Sequence, residues 1–191
     1  TKSTRTDLRW LRQCGLEAAI HKAADAGTLV FGVCGGYQML GRTVSDPEQV
    51  EAAGTTEILG MGLLEMDTIF LGEKVQAQTT GVFAGISGVL SDLNGMSYSG
   101  YEIHMGRSEE EMPALAGTGN VYGSYVHGVF DASGISDTIL KALCVRKGID
   151  FDALETFDIS EYKEHQYDLL ADAVRSGLDM EFVYRILNRE V

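Results

Sequence analysis

The chain has 191 residues, of which 45% are hydrophobic and 23% charged, a composition typical of a globular protein with a sizeable core. Its formal net charge of −13 at pH 7 argues against nucleic acid as a partner, because binding a phosphate backbone requires basic surface. No run of 18 apolar residues occurs, so neither a membrane-spanning helix nor a membrane partner is predicted. Three cysteines without motif-like spacing favour free thiols in a cytoplasmic protein.

The first part of the chain shows an α/β pattern. Apolar residues at helical spacing predict a helix over residues 7–26, which Gly27 ends. The short apolar run 28–33 predicts a buried strand, and residues 36–40 are expected to begin the next helix. This order predicts an α/β fold with a parallel sheet. Because the chain begins in a polar, Thr-rich run without an initiator Met, we expect that an upstream part is missing.

The middle of the chain is predicted to be rich in strands and its last part helical. The predicted strand segments are 58–66, 67–71, 74–83, 101–108 and 120–129. An amphipathic helix is predicted over 135–146, and the tail 160–188 is predicted to be helical with a break at Gly177. We therefore expect one α/β domain over residues 1–150, with residues 151–191 as its helical extension.

Residues 32–36, Gly-Val-Cys-Gly-Gly, match Gly-x-Cys-x-Gly, the cysteine form of the nucleophile elbow. In this motif the nucleophile lies on a strained strand-to-helix turn, where small neighbours avoid collisions with the strand and the helix. We expect the amino terminus of the following helix to favour the thiolate of Cys34. The backbone N–H of Gly35 would face a developing oxyanion. A structural cysteine buried in a Gly-rich turn is the alternative interpretation.

A cysteine nucleophile usually works with a histidine that acts as base and then as acid. His21 and His165 lie in helical stretches with polar neighbours, where a solvated face accounts for them. His127 ends a strand-like run, a position from which its side chain could reach the turn of a neighbouring strand. His104 lies in a polar–apolar alternation and could equally face solvent, so the residues give His127 only a modest lead. The sequence lacks close-paired zinc ligands, and no metal site is predicted.

Three segments carry a resemblance to a known family: FGVCGGYQMLG at 31–41, GYEIHMGRS at 100–108 and YGSYVHGVFD at 122–131. With these segments the chain resembles class I glutamine amidotransferases and, more narrowly, the carboxyl-terminal glutaminase domains of the cobyric acid synthase family. The resemblance covers nearly the whole chain and implies a flavodoxin-like open mixed sheet flanked by helices. It also implies that residues 1–150 form a partial amidotransferase domain whose first strands are missing.

The resemblance assigns roles to residues by position in the family's motifs. It implies that Cys34 is the nucleophile and His127 the base, which decides between the two histidines by resemblance alone. It further implies that Gln38 contacts the substrate glutamine and that Gly35 supplies one oxyanion donor. A second donor is expected just before Thr1.

The resemblance also implies a departure from the wider class. There, a glutamate follows the base by two residues and orients its imidazole, but this chain has Val129 at that position. A Cys34–His127 dyad is therefore implied, unless another acid is borrowed. Glu102 and Asp131 are candidates through their proximity to the two histidine motifs.

The implied activity is hydrolysis of glutamine through a cysteine thioester. The ammonia would pass to an N-terminal amidating domain of the same protein, which would use ATP and Mg²⁺ to amidate peripheral carboxylates of (adenosyl)cobyrinic acid a,c-diamide, the corrinoid substrate, in cobalamin biosynthesis. No cofactor is implied in the present domain. Alternatives are a glutaminase subunit for amidation of a cell-wall lipid precursor, a non-catalytic module with the same fold, and a cysteine hydrolase of a related elbow fold. The His-Met-Gly segment argues against the cell-wall enzyme.

Overall fold

The computed structural model describes residues 2–51, 56–108, 113–132, 134–154 and 159–190, and it divides the chain into two compact units, Thr1–Phe151 and Asp152–Val191. The helices are α1 Thr4–Gln13, α2 Leu16–Asp25, α3 Gly35–Leu40, α4 Ile135–Lys147, α5 Ile159–Gly177 and α6 Met180–Leu187. The strands are β1 Val30–Val33, β2 Thr43–Ser45, β3 Glu57–Leu59, β4 Asp67–Val82, β5 Ser97–Ser108, β6 Ala116–Thr118 and β7 Val121–Ser124. Short 3-10 helices cover Gly88–Leu93 and Phe151–Ala153.

The strands of the first unit form two mixed sheets rather than one. The first has the order β1-β7-β6, in which β1 and β7 are parallel while β6 and β7 are antiparallel. The second has the order β3-β2-β4-β5, in which only the β2–β4 pair is parallel. The predicted α/β class, with open mixed sheets and flanking helices, is confirmed. Within the described residues β1 is the end strand of its sheet, because it is hydrogen-bonded to β7 on one side and to no strand on the other.

Several predicted element boundaries are wrong for identifiable reasons. The helix predicted over 7–26 is two helices, because Gly15 adopts φ +78° between them and interrupts the helical backbone. The segments predicted at 67–71 and 74–83 form the single long strand β4, whose pairing with β5 is irregular between Phe70 and Val75.

Two further strand predictions are too long. The strand predicted over 120–129 ends at Ser124, so His127 lies in the connection to α4. Of the segment predicted over 58–66, only the beginning is extended, as β3. The remaining backbone instead turns back beneath α3, where the N–H groups of Leu63 and Leu64 both donate to the carbonyl of Leu40.

The helical predictions for the second half of the chain are confirmed in type and approximate position. The helix predicted over 135–146 is α4, and Gly148 follows it with φ +65°, a left-handed conformation that favours glycine. The tail forms α5 and α6, with the break close to Gly177. In the second unit Asp179 caps α6, since its Oδ1 accepts a hydrogen bond from the N–H of Phe182 at 3.0 Å. No described helix combines the length and apolar character needed to cross a bilayer.

The first unit buries two apolar clusters, one around α3 and one around the segment that carries His127. One includes Leu8 of α1 and Tyr37 and Leu40 of α3, so it fixes the helix that follows Cys34. The other includes Val126 and Val129 and fixes the segment that carries His127. Packing in the core therefore fixes both α3, which follows Cys34, and the segment that carries His127.

Gly32 is the elbow position at which close approach requires glycine. A Cβ there would lie 2.7 Å from backbone atoms of Gly36 and Tyr37. We expect Gly32→Ala to lower the free energy of unfolding by about 2 kcal/mol, because the opposing atoms are backbone and cannot turn aside. Urea denaturation measures this change.

Gly36→Ala is the matched control for that experiment. A Cβ at Gly36 meets nothing within 4 Å, so the expectation that both flanking glycines avoid collisions is wrong at this position. Since alanine is the better helix former, we expect stability to stay constant or rise by up to about 1 kcal/mol. Equal losses in the two variants would contradict the steric account of Gly32.

Candidate active site

Cys34 lies at the sharp turn between β1 and α3, with φ 52° and ψ −112°. Positive φ is costly for a residue with a side chain, and such strain persists only where the surrounding structure enforces it. Here the Cys34 N–H donates to the carbonyl of Ser124 at 2.8 Å, and the Cys34 carbonyl accepts from the N–H of Gln38 at 3.0 Å. The predicted elbow geometry is thus present, held by β7 on one side and by α3 on the other.

Burial dominates the electrostatics of the Cys34 thiol. Desolvation raises the pKa of Cys34, while a hydrogen bond from the backbone N–H of Gly35 opposes this rise. The first N–H of α3 therefore favours the thiolate as expected, but desolvation is the larger effect, so the pKa of Cys34 is raised overall. The thiol is instead positioned to donate to the Ile103 carbonyl, at an Sγ–O distance of 3.6 Å. The Gly35 N–H nevertheless points at the Cys34 sulfur.

Cys34 opens into a cleft of about 530 Å³, a volume typical of small-molecule sites. Gln38 and His104 also line this cleft. Its charged lining residues are Lys2, Lys74 and Glu51. The cleft beside the cysteine therefore carries charged groups of both signs.

Gln38 is 2% exposed and its amide is only half satisfied. The Thr4 hydroxyl donates to Gln38 Oε1 at 3.0 Å, whereas Gln38 Nε2 is buried without a hydrogen-bond partner among the described residues. A Cβ on Gly106 would lie 2.6 Å from this Nε2, so glycine at 106 allows the amide to reach its place. An unused buried donor is costly to the folded state.

A buried ion pair fixes the start of α1, and with it Thr4. Arg5 Nη1 lies 2.6 Å from Asp46 Oδ2, and their side chains are 5% and 0% exposed. Asp46 also accepts from the N–H groups of Val50 and Glu51. Glu51 in turn accepts from the N–H groups of Thr4 and Arg5. No sequence motif indicates this network, because α1 and its carboxylate partners lie more than forty residues apart in the chain.

His127 lies just beyond β7 and is held by its backbone and its ring. Its N–H and carbonyl both pair with Tyr101, and its ring stacks on the Tyr101 ring with centroids 5.0 Å apart. Its Nε2 is buried and without a hydrogen-bond partner among the described residues. Burial lowers the pKa of His127, and the nearby His104 contributes to this decrease. The neutral form of the imidazole is therefore favoured.

The structure connects Cys34 and His127 through the backbone and not through a side-chain contact. The carbonyl of Ser124 accepts a hydrogen bond from the Cys34 N–H, and His127 lies three residues after Ser124 in the chain. Among the described residues no hydrogen bond joins the Cys34 and His127 side chains.

His104 is the histidine that lines the Cys34 cleft directly. Its side chain is 7% exposed, so the expectation that it could face solvent is wrong. Its ring stacks on Tyr125 with centroids 4.0 Å apart. Of the two acids considered for a third catalytic role, Glu102 contacts His104 at 3.2 Å, and Asp131 is exposed.

Val129 occupies the position where the wider class has a catalytic glutamate. It is 2% exposed and belongs to the apolar cluster around Val126 and Ile135. The residue at this position therefore packs in the core and cannot orient an imidazole by hydrogen bonding. Thr1, beside which a second oxyanion donor is expected, lies outside the described residues.

No group of three or more histidine, cysteine, aspartate or glutamate side chains suited to a metal ion occurs within the described part of the chain. The three cysteines are free thiols: Cys14 is exposed, Cys34 half-buried and Cys144 buried.

Residues 1–135 match the model of the CobB/CobQ-like glutamine amidotransferase domain. The chain belongs to this family. A cobyric acid synthase of Lachnoclostridium phytofermentans is 47% identical to this chain over 216 residues, covering 100% of this chain and 42% of that protein. A cobyric acid synthase of Ruminiclostridium cellulolyticum is 43% identical, covering 100% and 40%. The chain thus spans about two fifths of the length of these relatives.

A more distant relative also matches nearly the whole chain, whereas a solved structure aligns only weakly. The cobyric acid synthase of Caldanaerobacter subterraneus is 35% identical over 211 residues, covering 99% of this chain and 41% of that protein. A crystal structure of a glutamine amidotransferase aligns with a TM-score of 0.45 and 18% identity, covering 77% of this chain and 75% of the other. That structural similarity is too low to carry a conclusion about this chain.

Proposed function

We propose that this amidotransferase domain hydrolyses glutamine through a covalent intermediate at Cys34 and supplies the ammonia to the amidating part of a longer cobyric acid synthase. The observation that carries the proposal is the strained Cys34 elbow, which opens into a cleft that the Gln38 side chain also lines. Strained backbone at a residue with a nucleophilic side chain is costly, and a reaction at that side chain accounts for it.

The first half of the proposed reaction forms a thioester. Cys34 Sγ attacks the side-chain amide carbon of glutamine, and its proton passes to Nε2 of His127. The negative charge on the carbonyl oxygen is stabilised by the Gly35 N–H. Nε2 then protonates the departing nitrogen, so that ammonia leaves and a γ-glutamyl thioester remains on Cys34.

The second half of the reaction returns the site to its starting state. His127, again neutral, accepts a proton from water as the water oxygen attacks the thioester carbon. The carbon–sulfur bond breaks, the sulfur recovers a proton from His127, and glutamate departs. For each glutamine and water consumed, one glutamate and one ammonia are formed.

The direction of the two pKa changes supports an uncharged resting dyad. Burial raises the pKa of the Cys34 thiol and lowers that of the His127 imidazole, so both groups are neutral near pH 7. Proton transfer to His127 would then accompany attack on the substrate, in place of a preformed ion pair. This arrangement limits reaction of Cys34 with other electrophiles while no substrate is bound.

The acceptor proposed for the ammonia rests on the relatives. Proteins that match the whole chain at 47% and 43% identity are cobyric acid synthases. We expect the remainder of such a protein to use ATP and Mg²⁺ to activate peripheral carboxylates of cobyrinic acid a,c-diamide, in the synthesis of cobalamin. In this scheme the amidotransferase domain itself holds no cofactor, and its partners are glutamine and the amidating domain.

Amidation by the full-length protein tests this function. The protein is incubated with ATP, Mg²⁺ and glutamine, and with either cobyrinic acid a,c-diamide or a lipid-linked muropeptide as acceptor. Mass spectrometry should show amide formation on the corrinoid and none on the muropeptide. Ammonium chloride in place of glutamine is the control that separates a failure of glutamine hydrolysis from a failure of amidation. Amidation of the muropeptide alone would contradict the proposed acceptor.

A further inference from the structure

His127 lies where the edge of one sheet meets a segment that follows the other sheet. Strand β5 pairs with β4 along one edge, and along its other edge Tyr101 pairs with His127, which comes after β7. The Tyr101 N–H donates to the His127 carbonyl at 3.1 Å, and the His127 N–H donates to the Tyr101 carbonyl at 2.8 Å. Two residues that exchange both hydrogen bonds in this way have neighbouring side chains on the same side of the backbone.

This backbone pairing brings the two rings into a parallel stack. The ring centroids of Tyr101 and His127 are 5.0 Å apart, and the ring planes differ by 8°. The His127 Nε2 is buried and has no hydrogen-bond partner among the described residues. Val129, two residues later, packs in the apolar core and offers the imidazole no carboxylate. A flat ring against one face of the imidazole restricts the rotation of that side chain, so the stack sets the plane in which Nε2 lies.

The residues around this pair hold the backbone and leave the ring to Tyr101. A Cβ on Gly100 would collide with the His127 carbonyl oxygen and with Val126, so glycine there allows β5 to approach this segment closely. Val126 and Val129, on either side of His127, are buried in one apolar cluster. Tyr101 itself is 51% exposed. Truncating its side chain would therefore leave no cavity in the core, and the backbone pairing would persist.

We propose that Tyr101 is a positioning residue of this site, whose ring holds the imidazole of His127 in the orientation required for proton transfer. The inference deepens the proposed function, on which it rests, because it concerns how the base assigned there is oriented. A carboxylate would orient an imidazole through a hydrogen bond, whereas the Tyr101 ring acts through contact with its face. Tyr101 takes no part in the bond changes at Cys34, and its hydroxyl is not required.

Glutamine hydrolysis by variants of the full-length protein tests this proposal. Tyr101→Phe keeps the ring, and we expect its kcat to stay within about twofold of wild type. Tyr101→Ala keeps both backbone hydrogen bonds but removes the ring. We expect its kcat to fall about tenfold with KM nearly unchanged, because the imidazole is then correctly oriented only part of the time. Tyr167→Ala, which removes an exposed tyrosine from α5, is the matched control and should leave kcat unchanged.

Carbethoxylation by diethyl pyrocarbonate measures how the His127 ring is covered, without any glutamine. Peptide mass spectrometry follows the modification of His127, with the exposed His165 as a reference in the same sample. Removing the stacked ring opens one face of the imidazole to the reagent. We therefore expect His127 to be modified several-fold faster in Tyr101→Ala than in wild type, and at the wild-type rate in Tyr101→Phe.

Three results would overturn the proposal. The first is a folded Tyr101→Ala protein with the kcat of wild type, since the ring would then not be needed. The second is an equal loss of kcat in Tyr101→Phe and Tyr101→Ala, because the hydroxyl and not the ring would then matter. The third is an unchanged rate of His127 carbethoxylation in Tyr101→Ala. If the wild type releases no glutamate, the proposed function fails, but the carbethoxylation rates still decide whether Tyr101 holds His127.

Discussion

Cys34→Ala in the full-length protein is expected to lower the rate of glutamine hydrolysis by about 10³-fold or more, because no other group in the cleft can form the thioester. Glutamate release measures this loss. Cys14→Ser is the matched control, since Cys14 is an exposed thiol on the first unit and should contribute nothing. Loss of activity in Cys14→Ser, or its retention in Cys34→Ala, would contradict the assignment of the nucleophile.

The same Cys34→Ala protein should still amidate its acceptor when ammonium chloride replaces glutamine. The amidating chemistry is proposed to lie outside this domain, and removing one sulfur from the elbow leaves the backbone turn in place. Retained ammonia-dependent activity would show that the variant is folded, so the loss of glutamine-dependent activity would belong to the chemical step.

His127→Asn is expected to lower the rate of glutamine hydrolysis by about 10²- to 10⁴-fold, the usual contribution of a general acid–base. Asparagine preserves much of the shape of the ring but cannot accept and return a proton at this position. His165→Asn is the control, because His165 is exposed on α5. An unchanged rate in His127→Asn would show that another group is the base, and His104 would be the first to examine.

The pH dependence of glutamine hydrolysis is a second, independent test of the role of His127. Burial lowers the pKa of His127 below its ordinary value of 6.5, so the imidazole stays unprotonated to lower pH. The wild-type rate should therefore hold as pH falls through 6.5 and decline only below it. In His127→Asn this acid limb should disappear from the profile of kcat/KM. An acid limb above 6.5 would contradict the depressed pKa.

The features predicted correctly from sequence depend on local constraints. The elbow at Cys34 was predictable because Gly32 must lie against the backbone of α3, and such contacts leave a short glycine pattern. Helix α4 was predictable from its periodicity and from the glycine that follows it. The resemblance predicted the family, which the comparisons confirm.

What the sequence could not predict depends on contacts between distant segments. Neither the spacing nor the composition indicated that Thr4 would hold Gln38 or that Glu102 would pair with His104 rather than His127. The effect of burial on the pKa of Cys34 could not be predicted, because a helix terminus is visible in the sequence whereas the degree of burial is not. The roles of Cys34, His127, Gln38 and Gly35 in catalysis stay predictions, to which the structure adds geometry.

Covalent labelling by a glutamine-mimicking diazoketone tests the central claim most directly. The full-length protein is incubated with the reagent, with and without excess glutamine, and the modified residue is located by peptide mass spectrometry. Modification at Cys34 that glutamine suppresses is the predicted result, because the elbow thiol and the glutamine cleft are one site. Modification at Cys14 or Cys144 instead of Cys34, or labelling that glutamine does not slow, would contradict it.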